Sequence, residues 1–343
     1  MKTQKLNTKI TISNNSRFVQ LFTAIILLSF LSLTSCKSDK NDESNNEPDG
    51  IALNERFANN RRTAVQTFQI DAATGGTITG EQGTKVIIPA NAIGLNGAAV
   101  SGNIDVELIE VYDKASMVLQ NMSTKGRKPN DDEEALKSAG EFFVNAKQNG
   151  QQLEVLTNIT VQSRGLDPQN SELMNIFRAG DNLEDTDLWQ EADENQDGIN
   201  DVAQRGEGPG PNGTFVLYSV FDMSSFGWTN LDIWYNFPGQ LTDLFVDVPN
   251  GYNGDNCAVY LSYDDEPGLA RMDIYDTQLE MFTEHFGRIP VGKEVHFIFI
   301  SEVGGQIYYA IQAATIQQDH TEEITNLQPI SQADLTTLIN NLP

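Results

Sequence analysis

From about residue 65 onward, apolar residues recur at every second position in short runs. Gly, Asn, Asp and Pro turns separate the runs. Period two is the signature of a strand with one buried and one solvated face. In the run 102–111, Ile104, Val106 and Leu108 share one side while Asp105 and Glu107 share the other. Similar runs predict strands at 85–89, 141–146, 153–156, 158–162, 214–221, 242–248, 258–263, 294–301 and 307–317. Many short strands at close spacing predict an all-β chain of sandwich type. Helical spacing is rare. Ser331-Gln332-Ala333-Asp334 has the form of a capping box, and Leu335, Leu338, Ile339 and Leu342 follow at helical intervals. A short helix is expected over 331–342, and residues 51–65 are a second helical candidate.

The start of the chain follows different rules. Residues 1–35 carry Lys2, Lys5, Lys9 and Arg17, no acidic residue, and an uncharged stretch from Phe18 to Ser35. A basic start, an apolar middle and a small-residue end form a secretory signal. The stretch closes with Leu33-Thr34-Ser35-Cys36, which resembles the lipobox of bacterial lipoproteins. That resemblance implies cleavage before Cys36, lipid on its thiol, and attachment to a membrane through the lipid. The competing reading is an uncleaved transmembrane helix, since about 18 apolar residues can span a bilayer. Such a helix has no need of Leu-Thr-Ser-Cys at its end. Residues 37–48 are polar and acidic and read as a solvated tether, placed with Cys36 in a segment 36–64. Lys37 followed by acidic residues resembles the surface-export signal of Bacteroidota-type lipoproteins, implying an outer-membrane protein displayed outward. A plain linker has much the same composition.

The predicted organisation is therefore a signal (1–35), a tether (36–64), a first β-sandwich (65–165), a second (172–320) and the final helix. Both sandwiches are expected to be immunoglobulin-like. A Gly/Pro/Asn stretch at 206–213 reads as an exposed loop inside the second.

The first of these has a further resemblance. Thr74-Gly75-Gly76-Thr77-Ile78 precedes Gly83-Thr84-Lys85-Val86-Ile87-Ile88-Pro89-Ala90-Asn91-Ala92-Ile93. This pattern resembles the opening of the β-sandwich module of ankyrins and netrin receptors. It is still more similar to the first domain of a group of Bacteroidota lipoproteins. There it leads to a turn like Gly97-Ala98-Ala99-Val100-Ser101-Gly102, then to segments like 113–119 and 138–146. The resemblance covers roughly residues 67–163 and implies a fold; it carries no catalytic residues.

Charge narrows the partners. Four of the 22 basic residues lie in the signal; without them 18 stand against 48 acidic residues, a net charge of −30. Such a surface repels nucleic acid, so nucleic-acid binding is excluded as a function. The expected partners are the membrane, through the lipid, and a protein or glycan outside the cell. With Cys36 lipidated, Cys257 has no partner for a disulfide, and its apolar strand context predicts a buried, inert thiol.

The sharpest motif is Asp193-Glu194-Asn195-Gln196-Asp197-Gly198-Ile199-Asn200-Asp201. Asp193, Asn195, Asp197 and Asp201 offer side-chain oxygens, Ile199 its carbonyl, and Gly198 the turn that a calcium loop needs. The spacing resembles thrombospondin type 3 and dockerin-like loops. It departs from the EF-hand, whose twelfth position is a bidentate Glu; here it is Gln204. The alternative is a solvated acidic turn. A second cluster, Phe226-Gly227-Trp228 through Trp234-Tyr235, could stack on sugars or fill a core. The three histidines, His285, His296 and His320, lack zinc spacing, and no Gly-x-Ser-x-Gly or phosphate loop occurs. The expectation is a non-enzymatic interaction or structural module, with calcium as the candidate cofactor. The alternative is a carbohydrate-binding accessory protein or a glycoside hydrolase, the latter requiring two convergent carboxylates roughly 5–10 Å apart.

Overall fold

A computed structural model describes residues 47–163, 174–186, 188–193, 200–209 and 215–343. Among these residues 52% lie in strands and 12% in helices, the all-β chain that the period-two pattern predicts. The signal and Cys36 lie outside the described residues.

Two pairs of sheets account for most of the strands. The largest sheet runs in the order Gln66–Asp71, Asn103–Val111, Glu133–Gln148, Gly227–Trp234, Asn175–Arg178, Gln190–Glu191. Facing it is a five-stranded sheet ordered Gln204–Pro209, Phe215–Met223, Ile159–Ser163, Lys85–Ile88, Gly76–Thr79. Val106, Leu108, Phe142 and Val144 of the first meet Val86, Ile88, Ile159 and Val161 of the second in one core. The second sandwich sets a four-stranded sheet, including Leu241–Asp247 and Met281–Pro290, against a five-stranded one built on Cys257–Tyr263 and Glu294–Val303. Its core holds Leu244, Val246, Val259, Leu261, Phe297 and Phe299.

The sheets do not divide at residues 165–172, where the sequence places a domain boundary. Phe215–Met223 pairs with Ile159–Ser163, and Gly227–Trp234 pairs with Glu133–Gln148. The first sandwich thus takes strands from the expected second half, and the second begins at Leu241. The physical reason is that strand pairing is non-local. The pattern in residues 215–234 shows which side chains must be buried, but not against which strand.

A third apolar layer lies between the sandwiches. Ile109, Val111 and Phe143 leave the back of the largest sheet and pack with Tyr260, Ile298 and Ile300 of the second sandwich. This is why residues 108–111 are buried without alternation: the strand is covered on both faces there. Three helices join the layer. Helix α1 (Gly50–Ala64) is capped by Asp49, whose carboxylate accepts from Ala52 N at 2.9 Å, and it buries Leu53 and Phe57. It occupies the end of the segment expected to be tether. Helix α2 (Lys114–Gln120), which the periodicity does not predict, is capped by Asp113. Helix α3 (Gln332–Asn340) is capped by the Ser331 hydroxyl, which accepts from Asp334 N, and buries Leu335 and Ile339. Among the described residues, no helix is long and apolar enough to cross a membrane.

Candidate functional site

The chain around the acidic motif forms a tight meander. Ala192 N donates to Ile176 O at 2.8 Å, Ile176 N to Asp201 O at 2.9 Å, and Asp201 N to Ala192 O at 2.8 Å. The last bond brings the two ends of the motif together, so Asp193 and Asp201 flank a closed loop mouth. Glu191 braces the mouth. Its Oε1 accepts from Asn175 Nδ2 and Trp234 Nε1, each at 2.8 Å, and its Oε2 from Asn200 Nδ2 at 2.6 Å. Asn195, Asp197 and Ile199 lie outside the described residues. Among the described residues, no three His, Cys, Asp or Glu side chains gather closely enough to hold a metal. A cleft of about 590 Å³ opens beside the loop exit, with Asp201, Asp222 and Thr160 on its walls. The Thr160 hydroxyl donates to Asp222 Oδ1 at 2.7 Å.

The aromatic cluster is spent on packing. Trp228 and Leu231 are fully buried, and Phe226 and Tyr235 nearly so. Trp234 is half-covered, with Lys128 Nζ 4.9 Å from its ring centroid. Trp228 donates through Nε1 to Leu183 O at 3.3 Å. These rings fill the core and the inter-sandwich layer rather than forming a sugar platform. Among the described residues, the exposed large apolar side chains are the aliphatics Ile51, Leu156, Val202, Leu279 and Leu338.

Cys257, His296 and His320 are also held in place. Cys257 is 6% exposed, its Sγ lies 3.1 Å from Asn253 O, and burial pushes its thiol up to about 12. That thiol is protonated at neutral pH and a poor nucleophile. His296 Nδ1 contacts Asp264 Oδ1 at 2.7 Å, and His320 stacks on Phe297 at 5.9 Å between centroids.

One feature escapes sequence reading altogether. Glu141 and Asp232 are both fully buried, on neighbouring strands of the largest sheet. Burial, followed by the charge of Asp232, drives the Glu141 carboxyl well above its usual range. Burial also raises Asp232 to about 8, against the opposing effect of the neighbouring Ser138 and Asn230 side chains. Neither acid reaches solvent, so the pair is closed to any external substrate. Nothing in the local sequence distinguishes either from the many other acidic residues of the chain.

No protein-family model matches this chain, and no curated protein matches it.

Proposed function

We propose that the protein is a non-enzymatic lipoprotein of the cell envelope, held by lipid on Cys36, that presents its sandwiches as a surface interaction or structural module. The observation that carries this reading is the way α1 receives the chain arriving from the anchor side. Asp49 N donates to Glu302 O at 2.7 Å in the second sandwich. Asn60 Nδ2 donates to Leu119 O at 2.6 Å, and Arg61 Nη1 to Gln120 O at 2.6 Å, both at the end of α2. The helix therefore fastens the start of the folded body to the second sandwich and to α2 in the layer between the sandwiches, as a module hung from a tether requires. The closed thiol and the sealed carboxyl pair support the non-enzymatic part. The test is lipid labelling and protease digestion of intact cells. Cys36→Ser is expected to lose the label, and the wild-type protein to be cleaved from outside; retained label sinks the anchor, and full protection sinks surface display.

Calcium at 193–201 belongs to the same reading, supported by the loop mouth that Asp201 N and Ala192 O close. Calorimetric titration is expected to show an event that Asp197→Ala removes, with affinity near the millimolar range of extracellular modules. Identical titrations would leave only an acidic turn.

Glycan binding is the second reading. The observation that favours it is a separate cleft of about 370 Å³, where half-buried Tyr252 and Tyr275 stand near Asp247, Asn253 and Glu280. Glycan-array binding lost in Tyr275→Ala would favour it over a protein partner.

A further inference from the structure

The sheet carries a local irregularity beside the buried acids. Across the strand pair, Asn230 lies opposite Glu141 and Asp232 opposite Ser138. Leu231 therefore faces two residues, Ala139 and Gly140, and the extra residue is a β-bulge on the Glu133–Gln148 strand. Residues three apart on a regular strand point to opposite faces. The bulge re-aims them, so that Ser138 and Glu141 join Asn230 and Asp232 on one side. Gly140 makes this possible: its φ is +133°, and a Cβ there would sit 2.6 Å from the Tyr112 ring. Gly140 N donates to Ser138 Oγ at 3.1 Å, Ser138 Oγ to Asn230 Oδ1 at 3.1 Å, and Asn230 Nδ2 to Asp232 Oδ2 at 2.7 Å.

This chain of bonds ends in a deficit. Glu141 is 0% exposed, yet neither of its carboxyl oxygens has a hydrogen-bond partner among the described residues, and Asp232 Oδ1 has none either. Buried polar atoms left this way are costly, and charged ones more so. Among the described residues, the charge that bears on Glu141 is that of Asp232, with no lysine or arginine to offset it. Protons on both acids, as their raised values imply, remove the charge, but no other described residue donates to or accepts from the Glu141 oxygens. A water molecule donates hydrogen bonds but leaves the charge. A divalent cation answers both needs, since it neutralises two carboxylates and accepts several oxygens at once.

We propose that Glu141, Asp232, Asn230 and Ser138 form a buried all-oxygen site for a calcium-sized divalent cation, taken up as the chain folds. Glu141 supplies two oxygens, and Asp232 Oδ1, Asn230 Oδ1 and Ser138 Oγ one each, with no nitrogen or sulfur among them. Oxygen sites of this kind select hard cations, and calcium tolerates the irregular geometry that magnesium resists. Because the site is sealed, loading is coupled to folding, as in other structural metal sites. The site is independent of the loop at 193–201.

The experiment uses the detergent-solubilised full chain carrying Asp197→Ala, which silences the loop. The protein is unfolded in guanidinium and refolded either in calcium or in chelator. Protein refolded in calcium and then passed through chelator is expected to retain about one calcium per chain by elemental analysis. It is expected to melt roughly 5 °C or more above protein refolded in chelator. Adding Glu141→Gln and Asp232→Asn is expected to abolish both the retained calcium and the difference in melting temperature. Because these replacements are nearly isosteric, a folded variant is expected; the comparison on the Asp197→Ala chain alone decides the matter if they misfold. No retained calcium, with equal melting temperatures in calcium and chelator, overturns the site and leaves the acids holding protons instead.

Discussion

Arg56 of α1 grips Glu302 of the second sandwich through two hydrogen bonds, Nε to Oε2 at 2.5 Å and Nη2 to Oε1 at 2.8 Å. Glu302 is 3% exposed, so its charge depends on this fork rather than on water. Removing one partner of a buried pair costs more than the pair itself contributes, because the other charge is stranded. Arg56→Ala is expected to lower stability by about 2–4 kcal/mol. Urea unfolding measures it; an unchanged midpoint would mean that α1 is not needed to hold the sandwich at Glu302.

The two sandwiches are also joined by Asp132 and Arg288, an ion pair between the end of one hairpin and the neighbouring sheet. The hydrogen bond from Arg288 is the main cause holding the Asp132 carboxyl below its ordinary 3.8. A carboxylate whose folded value is depressed stabilises the fold above the unfolded value and loses that contribution as pH falls through the folded one. Between neutral pH and about 4 the pair is therefore fully effective, and below that it fades. Asp132→Asn should flatten this part of the acid unfolding curve. Superimposable curves for wild type and variant would assign the acid sensitivity to other carboxylates. The effect is small, because both side chains are about one-third exposed.

Cys257 offers a chemical check on the second core. With its thiol raised to about 12, iodoacetamide at pH 8 is expected to leave it unmodified in the folded protein and to alkylate it in guanidinium. Peptide mapping reads the result. Rapid alkylation of the native chain would place the Cys257–Tyr263 strand in a far more open setting.

Cutting the chain tests the strand pairing. A fragment of residues 65–165 lacks Phe215–Met223 and Gly227–Trp234, which pair with Ile159–Ser163 and Glu133–Gln148. Two buried strands of that fragment would then expose unpaired backbone and apolar faces. Circular dichroism is expected to show no cooperative melting. A sharp transition in the fragment would restore residues 65–165 as an independent sandwich.

What was legible in the sequence follows from how local each cause is. Ile104, Val106 and Leu108 declare their face by alternation alone, and Ser331 with Asp334 declares a helix start within four residues. Helix α2 is too short to develop a periodic face, and its cap, Asp113, resembles any turn aspartate. Trp228 and Trp234 share a face of their strand, but Gly227–Asp232 is buried on both faces, so no apolar–polar alternation marks it in the sequence. The bulge at Ala139–Gly140 hides the carboxyl pair: Glu141 and Asp232 lie 91 positions apart, and only the paired strands bring them together. The acidic motif is legible because it is contiguous, but the Glu191 brace beside its ends, with Asn175 and Trp234 as partners, comes from the fold.

The late strands also set a timetable. A polypeptide is delivered from its N-terminus, and folding generally follows that order. Strand Asn103–Val111 finds its neighbour Glu133–Gln148 soon after emerging, but Ile159–Ser163 must wait for Phe215–Met223, and Glu133–Gln148 for Gly227–Trp234. Until Trp234 has appeared, the nascent first sandwich exposes sticky β-edges and a greasy half-core. That interval is the one in which a holding chaperone would have most to protect, and substitutions that weaken the Gly227–Trp234 strand would lower yield more than they lower the stability of molecules already folded.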